Sequence, residues 1–96
     1  TLRGAKGTVY EGGIRVPAFV NWKGRVSPGI SETPICGMDY FPTFLELANI
    51  ENYNKVLDGK SLVPLWKGKK EAERPLFWHL ASAYKNPPCS IIRKGN

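Results

Sequence analysis

Histidine and methionine occur once each, and cysteine twice, in these 96 residues. That scarcity excludes several chemistries before any motif is sought. His79 has no second histidine or following glutamate at ligand spacing, so a zinc site lacks its donors. Cys36 and Cys89 are too few for a disulfide framework and form no Cys-x-x-Cys pair. They allow one bridge or two thiols and leave the redox compartment open. No Gly-x-Ser-x-Gly elbow exists, so serine-esterase chemistry has no nucleophile. No apolar run approaches the ~20 residues that span a bilayer, and no signal-peptide pattern follows Thr1, so no membrane partner is expected. Internal repeats, zinc-finger spacing, RNP aromatics and a basic heptad helix are all missing, so no nucleic-acid partner is expected either.

What is present describes a globular chain. Hydrophobic residues make up 42% and charged residues 23%, and three Trp, four Phe and four Tyr supply a modest core. Ten Gly and eight Pro keep its segments short. The net charge of +6 is uneven. Cations dominate the first thirty residues (Arg3, Lys6, Arg15, Lys23, Arg25 against Glu11) and again the stretch after Gly59. The middle is acidic, with Glu32, Asp39, Glu46, Glu51 and Asp58 against Lys55. Such a distribution suits an anionic ligand, although a solvated surface accounts for it as well.

Periodicity and punctuation place the elements. "GTVYEGGIRVPAFVNW" reads as a glycine-punctuated approach to a strand through "VPAFVNW", apolar on both faces. "KGRVSPGISETP" is turn chemistry. "MDYFPTFLELANI" predicts a helix with Asp39 as N-cap, Pro42 in its first turn and Asn49 near its end. Phe41, Phe44, Leu45 and Ala48 would form its apolar stripe. "SLVPLWKG" predicts one helical turn capped by Ser61 and stopped at Gly68. "PLFWHL" and "CSIIRKGN" predict two short strands joined by "ASAYKNPP". The chain opens on Thr1 and closes on a turn after a strand, and is expected to be a piece of a longer polypeptide.

Several motif-like stretches carry no chemistry. "DGKS" at 58–61 ends like a phosphate-binding loop, but Asn54 stands where that loop needs glycine. Glu71 and Glu73 lie in a charged loop and read as solvated. His79 is expected to bond a neighbouring carbonyl from its strand. The opening "TLRGAKGTVYEGG" is different. Glycines on both sides of Lys6 let the backbone approach a ligand, and a lysine ammonium is a compact charge suited to a tetrahedral oxyanion.

"LRGAKGTVYEGGIRVPAFVNWKGRVSPG" resembles the type I sulfatase segment Leu-Arg-Gly-x-Lys-Gly-x-x-Tyr-Glu-Gly-Gly-x-Arg-x-Pro, followed there by a strand and Trp-Pro-Gly. "MDYFPTFLELA" is similar to the family's Asp-x-x-Pro-Thr-x-x-x-x-Ala helix, and "LDGKSLVPLWKG" to its Leu-Asp-Gly-x-Ser-Leu-x-Pro-Leu-x-x-Gly. "RPLFWH" and "SIIRKGN" resemble its Arg-x-Leu-Phe-Trp and Ala-x-Arg-x-Gly-Asp-Trp-Lys elements. The resemblance covers essentially the whole chain in the family's order.

It implies an α+β fragment of the α/β sulfatase (alkaline-phosphatase-like) fold. Residues 1–50 would hold the last strand and helix of the catalytic domain, and 51–96 the start of a small C-terminal antiparallel subdomain. Lys6 falls on the family's sulfate-contacting lysine; apart from the resemblance, Arg3 and His79 are further candidate substrate contacts, toward the leaving group. Tyr10, Glu11, Gly12, Gly13 and Arg15 match the motif and are expected to brace the loop against the following strand, not to take part in catalysis directly. The implied reaction is hydrolysis of a sulfate ester on a sulfated small molecule or sulfated glycan. The setting would be periplasmic, secreted or lysosomal. Calcium and formylglycine, the family's cofactors, would come from residues outside this chain, which is expected to bind no metal and to be inactive alone. "CSIIR" has Cys89 and Arg93 at the spacing of the formylglycine motif Cys-x-Pro-x-Arg, but Ile91 replaces the required proline; the match is read as coincidence. "WKG" at 22–24 and Asn96 also depart from the pattern. Two other classes are a related phosphatase or phosphodiesterase, and a non-catalytic basic module that holds sulfated glycans.

Overall fold

Leu76, Trp78 and Leu80 alternate with Phe77 and His79, and a run of that period pairs readily with a second one. In the computed structural model, which describes residues 1–81 and 87–95, the expected hairpin forms. Strand β1 (Leu76–Leu80) lies antiparallel to β2 (Cys89–Arg93), with Leu76 opposite Arg93 and Leu80 opposite Cys89. One face carries the covered residues Leu76, Trp78, Leu80, Cys89, Ile91 and Arg93; the other exposes Phe77, His79, Ser90 and Ile92. Much of the loop between the strands lies outside the described residues. The chain divides into two units, Thr1–Val20 with Arg74–Gly95, and Asn21–Glu73. The first holds the hairpin and one short helical turn, α1 (Glu11–Ile14).

The expected strand through "VPAFVNW" is not formed. Residues 15–21 take no regular structure, and Val16 is 78% and Phe19 97% exposed. A strand needs a ladder partner, and among the described residues β1 and β2 pair only with each other. Upstream, Gly13 N–H donates to the Tyr10 carbonyl (2.7 Å) and Arg15 N–H to that of Glu11 (2.8 Å), so "EGGI" turns helically instead.

In the second unit the expected helix is present but shorter and differently capped. A 3-10 turn, Gly37–Asp39, leads into α2 (Tyr40–Leu47). Asp39 does not cap α2 with its side chain. Its carboxylate points elsewhere: Oδ2 accepts from Cys36 N–H and Oδ1 from Lys60 N–H, both at 2.9 Å. Thr43 adds a second bridge, donating to the Asp39 carbonyl (2.6 Å) and accepting Leu62 N–H (2.9 Å). Both side chains are fully buried. The local capping rule lost here to Cys36, three residues upstream, and to Lys60, 21 residues downstream. The predicted stripe is also not a core: Phe41 and Phe44 are 47% and 61% exposed, and Phe41 packs edge-on against Tyr53.

The stops fall as expected. Asn49 ends α2 in the left-handed region (φ 54°), with Asn49 and Ile50 N–H bonded back to Glu46 and Leu45. The turn α3 (Val63–Trp66) contains Pro64 early and stops at Gly68; its N-cap residue is Leu62, not the expected Ser61, whose Oγ nonetheless accepts from Val63 N–H (3.2 Å). Buried Leu62 and Val63 form the apolar part of this unit. No helix among the described residues is long and apolar enough to cross a membrane.

Candidate functional site

The Lys6 loop is a closed turn. Thr8 N–H donates to the Ala5 carbonyl (3.0 Å), and Thr8 Oγ1 both donates to that carbonyl (2.8 Å) and accepts Ala5 N–H (3.2 Å). Lys6 and Gly7 occupy the two central positions. Gly7 sits at φ 83° and Gly4, just outside the turn, at φ 88°. A side chain at either would strain the backbone, so the glycines flanking Lys6 are demanded by geometry. Lys6 is exposed at the tip, and no hydrogen bond or ion pair among the described residues holds its ammonium. The charge is presented with its donors unspent.

Beneath this turn lies α1. Gly12 N–H donates to the Arg3 carbonyl (2.8 Å), joining α1 to the loop's entry. A Cβ built on Gly13 would sit 2.8 Å from the Ala5 carbonyl oxygen and nearer still to that of Thr8. Gly13→Ala is therefore expected to push the loop off its base at a cost of about 1–3 kcal/mol, read as a lower melting temperature. An unchanged melt would show that the loop yields freely. Arg3 folds over the Tyr10 ring, its Cζ 4.0 Å from the centroid, and Nη2 donates to the Tyr10 hydroxyl (3.0 Å). The loop's entry and exit are thereby clasped together.

Glu11 opens α1 and faces two guanidinium groups. Arg15 Nη1 reaches its Oε2 at 3.3 Å, one helical turn away, and Arg93 Nη1 reaches its Oε1 at 3.0 Å from the end of β2. Arg93 is itself fixed, with Nε donating to the Gly95 carbonyl (3.1 Å) and only 20% of its side chain exposed. The expected bracing of the loop against a following strand is not formed, because residues 15–21 form no strand; Glu11 pairs instead with Arg15 and with Arg93 at the end of β2. The Arg93 partner, 82 residues away, has no local signal in the sequence, and neither does the stacking of Arg3 on Tyr10.

The predicted site residues do not all converge. Arg3 and Lys6 share one loop, whereas His79 stands on the exposed face of β1 and neither bonds nor pairs with them. Its Nδ1 lies 2.9 Å from Ser90 Oγ on β2, a side-chain partner instead of the expected carbonyl. Cys36 and Cys89 are free thiols, so no bridge joins them. Cys89 and Arg93 of "CSIIR" form the two ends of β2. Among the described residues no three His, Cys, Asp or Glu side chains gather as metal ligands. In the second unit Trp22, Arg25, Glu46, Trp66 and Lys67 line a cavity of about 420 Å³, which contains no predicted site residue.

Comparison with known proteins gives this arrangement a context. Residues 5–91 match the family described as N-sulphoglucosamine sulphohydrolase, C-terminal. The chain is 42% identical to steryl-sulfatase of Rattus norvegicus over 85 residues, covering 85% of this chain and 15% of that protein. It is 40% identical to arylsulfatase A of Homo sapiens over 79 residues, covering 81% and 16%. With N-acetylgalactosamine-6-sulfatase of Canis lupus familiaris it shares 38% over 76 residues, covering 77% and 15%. The chain thus spans about 15% of the length of the curated relatives it matches.

Proposed function

This chain belongs to the sulfatases, in the family described as N-sulphoglucosamine sulphohydrolase, C-terminal, and on that premise we propose that it serves a sulfuric ester hydrolase as the bearer of its Lys6 loop. The observation that carries the reading is the loop itself. An exposed ammonium stands between two positive-φ glycines on a turn clasped at both ends, within a stretch collinear with sulfatases. In the full-length enzyme Lys6 Nζ would donate to the sulfate oxygens. It would stabilise the charge that develops as the ester S–O bond breaks. A turn anchored before substrate arrives holds that charge with little reorganisation. Arg3 is the candidate second contact, and His79, engaged at Nδ1 by Ser90, a more distant one.

Calcium and formylglycine do not fit the residues present. No ligand cluster exists among the described residues, and Cys89 lies in a strand with Ile91 where the modification motif needs proline. Both would come from other parts of the enzyme. The parent fold would be alkaline-phosphatase-like. Residues 1–50 would close its catalytic domain and 51–96 begin an antiparallel subdomain. The setting would be periplasmic, lysosomal or secreted. The substrate class is a sulfate ester of a small molecule or glycan.

The full-length enzyme, assayed with calcium, is expected to hydrolyse an aryl sulfate at least about a hundredfold faster than the matching aryl phosphate, while residues 1–96 alone turn over neither. The reverse preference would make the parent a phosphatase or phosphodiesterase. No hydrolysis, joined to heparin binding that weakens steeply with salt and survives Lys6→Ala, would make it a glycan-holding module.

A further inference from the structure

We propose that Glu11 and Arg93 form a positioning pair that sets where Lys6 stands, a role resting on the assignment of Lys6 as the sulfate contact. The loop of residues 3–8 buries no side chain fully, so packing does not locate its tip. Polar links do. Arg3 is tied to α1 through Gly12 N–H and to Tyr10 through its guanidinium, and α1 begins at Glu11. The Glu11 carboxylate then divides between two cations. Arg15 belongs to the residues immediately after α1 and moves with it, so it fixes nothing external. Arg93 is different: it ends β2, opposite Leu76 in the hairpin register, and its guanidinium is held on the Gly95 carbonyl. The 3.0 Å contact between Arg93 Nη1 and Glu11 Oε1 ties the lysine-bearing segment directly to the hairpin.

Glu11 is 46% exposed, so the pair contributes little to stability, as half-solvated ion pairs do. Its geometric effect is larger. An ammonium that must meet an oxyanion at about 3 Å loses most of its effect when displaced by about 1 Å. Arg93 is thus a positioning residue that acts through Lys6, and Glu11 is its receiver.

A kinetic cycle in the full-length enzyme tests this. Arg93→Gln is expected to lower kcat about tenfold with KM changed less than about twofold, and Glu11→Gln to do the same from the exposed side. Arg93→Lys, which keeps one charged donor but loses the fork, should recover part of the loss. In a Lys6→Ala background, Arg93→Gln should lower kcat less than about twofold further, because its effect passes through an ammonium already removed. Equal factors in both backgrounds would overturn the proposal and make the pair a general brace. Should Arg93→Gln melt out, Glu11→Gln in the two backgrounds separates the same outcomes. If Lys6→Ala alone leaves turnover near normal, it is the Lys6 assignment that fails, and the pair falls with it. A crippled Lys6→Ala without coupling sinks the pair alone.

Discussion

Lys6→Ala in the full-length sulfatase is expected to lower kcat by about 10²–10³, the range for removing one preorganised donor from a developing oxyanion. The loss should fall mainly on kcat, because the ammonium gains most from charge that appears as the S–O bond breaks. Inhibition by inorganic sulfate should weaken too, since a dianion resting in the site meets the same nitrogen. The fold should be untouched: Lys6 is exposed and holds no neighbour among the described residues, so circular dichroism and melting should match the wild type. Lys6→Arg should recover little, because a planar fork on a longer reach does not replace a compact ammonium at the tip of so tight a turn. Turnover of Lys6→Ala within about twofold of wild type would remove the lysine from the chemistry.

Much of this site is legible in the sequence because glycine leaves a mark. Gly4 and Gly7 beside Lys6 signal backbone freedom, and both carry positive φ. The motif residues after them signal bracing against a strand; the structure instead bonds Gly12 N–H to the Arg3 carbonyl and pairs Glu11 with Arg93. What stays hidden is the far end of each brace. Nothing near Glu11 points to Arg93, and Arg15, at the helical spacing, looks like a sufficient partner. A single sequence contains no trace of pairing across 82 positions. His79 lies in the expected strand but bonds a different partner, since strand register sets which side chain lies opposite, and Ser90 does.

The fold divides along the same line. The hairpin follows from alternation, and the ends at Asn49 and Gly68 follow from left-handed stops. Those are local rules with local causes. The strand through Val16 and Phe19 fails because a strand exists only with a partner, which the residues themselves do not supply. Asp39 has the type and place of a helix cap. Its oxygens instead serve two amides outside the helix, and this is where the second large effect is expected.

Asp39→Ala should cost about 3–5 kcal/mol of local stability. The carboxylate is fully buried and its two oxygens accept from Cys36 and Lys60 N–H. Removing it leaves two part-buried amides without their acceptor, each at about 1–3 kcal/mol. Gly59, beside Lys60, packs so closely on the Met38 carbonyl that the released segment has no room to shift inward. It must open outward instead. Opening would also expose the Leu62 N–H now held by Thr43, so the two buried bridges should fail together. The readout is amide hydrogen exchange in the full-length enzyme: Lys60 and Leu62 should exchange about 10²–10³ times faster, at about 1.4 kcal/mol for each factor of ten. Asp39→Asn keeps one accepting oxygen but sets an NH₂ against a donor, so it should lose about half as much. Glu46→Gln, an exposed change on the same helix, should move neither amide. If Lys60 exchanges at the wild-type rate in Asp39→Ala, water replaces the carboxylate and the segment is anchored by its apolar neighbours Leu62 and Val63 alone.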